Sequence, residues 1–485
     1  MLTIILFFVF LYFATLLGIA FYTARGAGNE SFFIGERKSN WLLVAYGMIG
    51  TSLSGVTFMS VPGEVQAKGF GYMQVVLGYF IGYLAVAFVL LPLYYRLQLT
   101  SIYAYLRQRL GETSYKTGAS FFLISRTLGA SIRIYLVLMV LHHFLLEPHG
   151  IPFAISAAVI LLMIWLYTFN GGVKTIIWTD TLQTTGMLLA LVITIIMIRK
   201  ELQLPFGEML QHMQQKGYTN IFQYQDWKAG NFFLKQIIGG AFITITMTGL
   251  DQEMMQKNIS VSTLWQSQKN MLLFSVIVMA ANLLFLIMGG ALYLYSEAHQ
   301  IVLPARSDET FPLIALQYLP PVAGVVFVIG LISALFPSAD GALTALTSSF
   351  CIDILDFDKK QWEEVKKLRI RRMVHIAITI LFFALIISYQ QLIKDSVISA
   401  ILKVASFTYG PLLGLFCFGI FTKRRVRNAL VPMVCILSPI LCFVISEKAA
   451  LFLGNYKIGL ELLLLNGGIT FAGLFFISNA PSTSK

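Results

Sequence analysis

Stretches of eighteen or more residues with almost no charge inside them recur along this 485-residue chain. As α-helices rising 1.5 Å per residue, about 20 such residues cross the roughly 30 Å of hydrocarbon in a bilayer. No water is present at that depth, so every backbone N–H and C=O must be satisfied within the segment, which a helix achieves. The residue balance agrees. Hydrophobic residues make up 57% of the chain and charged residues 12%, where a soluble chain carries about 25% charged residues. The expected fold class is an all-α integral membrane protein that crosses the bilayer many times. The formal charge of +12 then belongs to connecting loops, because Lys and Arg gather on the cytoplasmic side of membrane proteins. It does not point to nucleic acid.

The apolar runs read as about thirteen spans. They lie near 2–23, 41–67, 70–96, 118–145, 151–169, 175–198, 232–256, 270–296, 313–354, 368–390, 395–420, 428–446 and 457–478. The ninth is long enough to include a portion that does not span. The first run is too long for a cleavable leader. Arg25 follows it and no positive charge precedes it, which predicts an outside N-terminus. The inward loops then hold Arg25, Arg37, Lys38, Arg96, Arg107, Arg109, Lys116, Lys174, Lys257 and Lys269. Further on they hold the basic clusters 359–372 and 423–427 and the tail residue Lys485, so the C-terminus is expected in the cytoplasm; the expected location is the plasma (inner) membrane.

The most informative stretch is Asn170-Gly-Gly-Val-Lys-Thr-Ile-Ile-Trp-Thr-Asp-Thr-Leu-Gln183. A Gly-Gly turn separates two apolar runs, and Asp180 stands about two helical turns inside the second. A carboxylate at mid-bilayer costs roughly 2.5–3.5 kcal/mol on insertion scales. It is kept where it pairs, lines a wet cavity or holds a cation. Ser338 and Asp340 are its leading candidate partners. They belong to the run Ile332-Ser-Ala-Leu-Phe-Pro-Ser-Ala-Asp-Gly341, where Ala334, Ser338 and Gly341 share one helical face. Pro337 lacks an N–H and frees the carbonyl four residues earlier, that of Ser333.

Two spans do not read as plain membrane helices. In 47–63, Gly, Ser and Thr crowd the middle. In 239–252, Thr244, Thr246 and Thr248 cluster before Asp251. Small-residue helix packing is one explanation. The other is a helix broken at mid-membrane, which offers carbonyls to a cation and helix N-termini to an anion. The two segments lie five spans apart, as an inverted repeat requires.

Other signals are weaker. Arg126 and Arg133 sit in one apolar span and suit fork-like recognition of a carboxylate, or pairing within the protein. Lys403 is placed to pair with Asp340 or with a solute. His142 and His143 point to different helix faces and read as interfacial packing rather than a metal pair. The four cysteines show no ligand spacing and read as small apolar side chains. There is no Gly-x-x-x-x-Gly-Lys-Ser/Thr loop and no His-Glu-x-x-His, so an ATP-driven pump and a membrane metalloprotease are both disfavoured, and no enzyme activity is expected.

Several motifs recur together. They are Gly171-Gly172 with Trp178-Thr-Asp180 and Gln183; Phe33-Ile-Gly-Glu-Arg37 before Trp41; and Val61-Pro-Gly-Glu64 before Gly69. They continue with Asp251-Gln252 and Gln256, and with Tyr409-Gly410 and Gly414 through Lys423-Arg424. In this order and spacing the chain resembles the sodium:solute symporter family, whose members cotransport sugars, proline, pantothenate or sialic acid with sodium. The resemblance covers nearly the whole chain. It implies a LeuT-type five-plus-five inverted repeat in a single domain spanning 1–485. An extra helix at 2–23 would precede a first repeat at 41–198 and a second at 232–420, with additional helices at 428–478.

The resemblance also implies sites. A main Na+ site would draw on Gly50, Leu53, Ala334 and Ser338. Oxygen ligands of that kind suit a hard cation. The family usually has two adjacent hydroxyl residues here, and Pro337 replaces the first, so Thr51 or water would substitute. Asp180 and Asp340 would bind a second Na+ or share a proton, since two nearby carboxylates do not both ionise cheaply without a cation. Ser54, Thr57, Thr244 and Met247 would meet the solute, and Arg133, from its own place in an apolar span, is expected to join them. The expected function is sodium-coupled uptake of a small organic solute by alternating access, with an acid sugar or carboxylate as leading substrate. A neutral sugar or polyol symporter, a proton-coupled carrier and a transport-inactive sensor are the alternatives.

Overall fold

The computed structural model describes residues 2–23, 32–33, 37–392, 397–452, 454 and 456–479, and Asn170, Gly171, Lys174, Leu392 and 450–452 by backbone alone. Arg25, residues 34–36 of the Phe33–Arg37 motif and Lys485 lie outside the described residues, as does the side chain of Lys174. Among the described residues eight helices are long and apolar enough to span, or eleven when three bent pairs each count as one span. Phe153–Phe169 and Leu462–Phe476 are shorter apolar helices.

The first helix, α1 (Leu2–Thr23), carries no charged residue. It packs on two later helices and turns Phe7, Phe10 and Phe21 outward, the face a lipid-exposed helix needs. Next, α2 (Trp41–Ser52) starts where the Asn40 side chain accepts a hydrogen bond from the Leu42 N–H. It stops at Leu53, and α3 (Gly55–Gly63) continues at an angle of 54°. The long helices α4 (Tyr72–Arg96) and α5 (Glu112–Leu141) follow. α6 runs Phe153–Glu201 through a break at Gly172, whose φ of 55° and ψ of −149° are non-helical. The expected Gly-Gly turn is therefore present as a local break between two stacked helical segments. Only a residue without Cβ adopts that backbone easily. A Cβ there would also lie 2.4 Å from the Phe32 Cα.

The second bent pair is α7 (Phe233–Thr244) and α8 (Gln252–Ile259), joined by a wider turn at Ile245–Gly249 and bent by 63°. Asp251 caps α8 by accepting the Glu253 N–H at 2.9 Å. This cap explains why the chain resumes as helix after the break. α9 (Leu264–Ala298) and α10 (Pro321–Ser349) complete the interior. The ninth apolar run does divide, since a short helical piece at Thr310–Tyr318 precedes α10. Every residue from Leu331 to Ser349 is buried, so this part of α10 is wrapped by protein on all sides. It packs chiefly on α6. Beyond it lie α11 (Glu364–Leu392), α12 (Val397–Thr408) bent by 44° to α13 (Gly410–Phe421), α14 (Val431–Phe452) and α15 (Leu462–Phe476).

Glycines set the closest approaches around the interior. A Cβ on Gly47 would lie 3.1 Å from Asp180 Cβ, and one on Gly50 would lie 2.6 Å from Thr184 Oγ1. The Gly, Ser and Thr content of this span thus serves both explanations offered for it. It lets α2 press against α6, and it ends the helix at the break.

Candidate functional site

The end of α2 brings unpaired backbone to the centre of the molecule. The Leu53 N–H bonds to the Ile49 carbonyl at 2.7 Å, and the helix stops there. Its last four carbonyls, from Gly50 to Leu53, have no helical N–H to accept. The Gly50 N–H donates to Thr184 Oγ1 at 3.0 Å, which holds this end on α6. Pro337 of α10 faces the same place, 3.1 Å from where a Gly50 Cβ would be. One position further on, Ser338 is buried and its Oγ has no partner among the described residues. Helix-end carbonyls and an unpartnered hydroxyl are the donor set a sodium ion takes. Two of the four expected main-site residues, Gly50 and Ser338, are thereby placed on facing helices, α2 and α10. Leu53 and Ala334 belong to the same two helices and are buried.

Asp180 is fully buried on α6, as expected, but its neighbour is one that sequence reasoning assigned to an inward loop. Lys257 of α8 reaches Asp180 Oδ2 at 2.5 Å and Thr51 Oγ1 at 2.6 Å. Thr51 in turn lies 3.4 Å from the same carboxylate oxygen. Lys257 is only 3% exposed. The loop assignment fails because the break at Leu250 is followed by two further turns of buried helix, not by solvent. The Asp251 cap was the available signal: a capped α8 over 252–259 puts Lys257 inside.

Asp340 sits apart from that pair. Its Oδ2 accepts the Tyr167 hydroxyl at 2.7 Å, and its Oδ1 has no partner among the described residues. No hydrogen bond joins Asp340 to Asp180, though each lies within the electrostatic reach of the other and of Lys257.

A cavity opens beside the two breaks. Ser54, Thr57, Thr244, Met247 and Arg133, the five residues expected to meet the solute, all line it. Tyr72, Tyr79 and Tyr83 complete one wall. Tyr72 and Tyr79 are joined hydroxyl to hydroxyl at 3.1 Å, and Tyr83 reaches Ser52 at 3.4 Å. The cavity is tight, about 100 Å³. It shares Tyr72, Ile398 and Leu402 with a wider one of about 450 Å³ that Glu64, Lys68 and Lys403 border. Lys403 therefore faces this wider space, and no ion pair joins it to Asp340.

The two arginines of α5 part company. Arg126 forms a buried ion pair with Glu253, and Asp251 stands 3.8 Å from its other terminal nitrogen. Tyr409 donates to Asp251 at 2.7 Å. Arg133, one to two turns along, has no ion pair among the described residues and faces the cavity. His142 meets Ser156 and His143 meets Glu147, the local packing expected of them.

At the opposite end the structure is closed. Gln256 of α8 donates to the Phe33 carbonyl and to Ser348 Oγ of α10. Lys116 bonds the Asp353 carbonyl at 2.7 Å and the Asp356 carboxylate at 2.6 Å.

These features define a solute carrier of the membrane, with a central site between broken helices. Residues 32–435 match the sodium:solute symporter family, and the chain belongs to that family. It is a sodium-coupled carrier of a small organic solute. Among relatives, the sodium/sialic acid symporter NanT of Aliivibrio fischeri is 24% identical over 87% of this chain and 83% of its own length. The symporter SiaT of Proteus mirabilis is 25% identical over 84% and 82%. The rabbit sodium-dependent multivitamin transporter is 26% identical over 86% and 66%. A solved outward-open, substrate-bound Na+-coupled sialic acid symporter superposes with a TM-score of 0.83 at 21% identity, covering 97% of this chain and 98% of that one. A nucleobase-cation-symport-1 transporter, Mhp1 in a closed conformation, gives a TM-score of 0.54 at 11% identity, covering 91% and 92%. At these identities the likeness is one of fold.

Proposed function

We propose that this carrier takes up an acidic organic solute, an acid sugar or a related carboxylate, together with sodium by alternating access. The observation that carries the reading is Arg133. It lines the central cavity without a carboxylate of its own, while its neighbour Arg126 is already neutralised by Glu253. A guanidinium kept free in a partly desolvated cavity favours an anion that presents two oxygens. The sialic acid named for two relatives and for the solved symporter belongs to that chemical class.

Sodium is proposed to bind among Gly50, Leu53, Ala334 and Ser338. There it would tie α2 to α10 and complete the wall that Ser54 and Thr57 offer the solute. The three bent pairs and two shorter apolar helices, taken with the eight long ones, support a reading of thirteen spans. The two bends at Leu53 and Gly249 support a LeuT-type repeat, with boundaries at 41–198 and 232–420 flanked by 2–23 and 428–478. The wide cavity would face outward in the inner membrane, with the N-terminus outside and the C-terminus in the cytoplasm.

Thermal stability of the purified protein, against acidic and neutral solutes in sodium and in potassium, tests the reading. A ligand at 100 times its Kd stabilises the folded state by about 2.7 kcal/mol. The expected result is a shift that needs sodium and an acidic solute together. An equal shift with neutral sugars would count against the acidic substrate.

A further inference from the structure

Lys257 has no role in the transport cycle as described so far. It is buried, it comes from the second broken helix, and it points at the carboxylate expected to hold a second cation. Its three N–H bonds have two assigned acceptors, Asp180 Oδ2 at 2.5 Å and Thr51 Oγ1 at 2.6 Å. The other charged groups whose fields reach it are Glu253 and Asp340, and Glu253 is itself matched by Arg126.

We propose that the Lys257 ammonium is the built-in cation of the Asp180 position. It takes the place of a second transported sodium and leaves Gly50, Leu53, Ala334 and Ser338 as the single sodium site. The inference rests on the sodium-symport reading and specifies its stoichiometry.

The physical reason is exclusion. A sodium ion bound to Asp180 would stand within a few ångströms of Nζ, and two like charges so close in a dry interior repel strongly. Lys257 cannot step aside into water, because α8 is enclosed by α2, α9 and α10. Asp340 has no such tethered partner. Among the described residues Oδ1 of both carboxylates lacks a partner, but Asp340 Oδ2 has only the neutral Tyr167 hydroxyl where Asp180 Oδ2 has an ammonium, and Asp340 lies two residues from Ser338. The charge left over in the cluster therefore sits on the α10 side, where it favours the single ion. Lys257 also joins three elements, α8, α6 and α2, through one nitrogen.

The test is the number of sodium ions bound per protein, read by equilibrium binding of radioactive sodium to the detergent-purified wild type with solute present. The dependence of thermal stabilisation on sodium concentration is read alongside it. The wild type is expected to bind one sodium with a Hill coefficient of about one. Lys257→Met should expose Asp180, admit a second sodium and raise the Hill coefficient above one. The double variant Lys257→Met with Asp180→Asn should return to one. Two sodium ions in the wild type, with one lost in Asp180→Asn, would overturn the proposal and leave symport intact. A folded Lys257→Met that still binds one would also overturn it. No sodium response in the wild type would overturn the symport reading and this proposal together. Should Lys257→Met not fold, the wild-type count decides, with Lys257→Arg as the charge-keeping control that must also bind one.

Discussion

Gly50 and Pro337 are in contact across the interface of α2 and α10. A Cβ on Gly50 would come 3.1 Å from Pro337 Cγ and 2.6 Å from Thr184 Oγ1. The Pro337 ring thus fixes the spacing of the two helices on which sodium is proposed to bind. Gly50→Ala must push α2 away from both neighbours. We expect sodium affinity, measured by thermal shift, to fall by tenfold or more, equivalent to about 1.4 kcal/mol. Unchanged sodium affinity in a folded Gly50→Ala protein would show that the ion does not sit between these helices.

Arg126 and Arg133 should separate cleanly by mutation. Arg126→Ala leaves Glu253 as an uncompensated buried charge, a loss of about 3–5 kcal/mol, so the protein should melt far lower or fail to fold. Arg133→Ala removes a side chain with no ion pair among the described residues. Its melting temperature without solute should change little, while acidic-solute affinity falls by roughly 30-fold, or about 2 kcal/mol. Solute binding titrations on Arg133→Ala check this, and wild-type affinity there would remove Arg133 from the site.

The break at Gly172 should not tolerate a side chain. Its φ of 55° is unfavourable for alanine, and the added Cβ would meet the Phe32 backbone at 2.4 Å. Strain of this kind costs about 1–3 kcal/mol. Gly172→Ala should lower the melting temperature, whereas Gly129→Ala, with nothing within 4 Å of the new atom, should leave it the same or slightly higher.

Asp356 lies in the loop beyond the membrane end of α10. Burial pushes its carboxyl up, but the hydrogen bond and charge of Lys116, with Lys359 and Arg107, outweigh this and hold it below the usual carboxylate range. A carboxyl lowered in the folded state contributes stability above its unfolded value, about 3.9, and loses it as pH falls through the lowered folded value. Between pH 5 and 8, Asp356→Asn should therefore cost a constant amount, about 1 kcal/mol or less. A wild-type minus Asp356→Asn stability difference that varies across that range would contradict the assignment.

Much of the site was legible because its chemistry is written in local composition. Gly, Ser and Thr in an apolar run mark a break. A lone Asp180 at mid-span marks a charge that needs a partner. Ser54, Thr57, Thr244 and Met247 followed from the family resemblance, and Arg133 from its charge in an apolar span. The partner of Asp180 was not legible, since Lys257 is 77 positions away and reads as the start of a cytoplasmic loop. The same holds for Arg126, whose pairing with Glu253 leaves Arg133 as the arginine of α5 with no ion pair among the described residues.

The sequence by itself determined that this is a helical membrane protein and where its two central spans break, because hydrophobic length and backbone demands act within one segment. Only the tertiary structure decided how the buried charges pair. In a dry interior each charge must find an opposite one within a few ångströms, and which residues come that close depends on how α2, α6, α8 and α10 pack, not on any order along the chain.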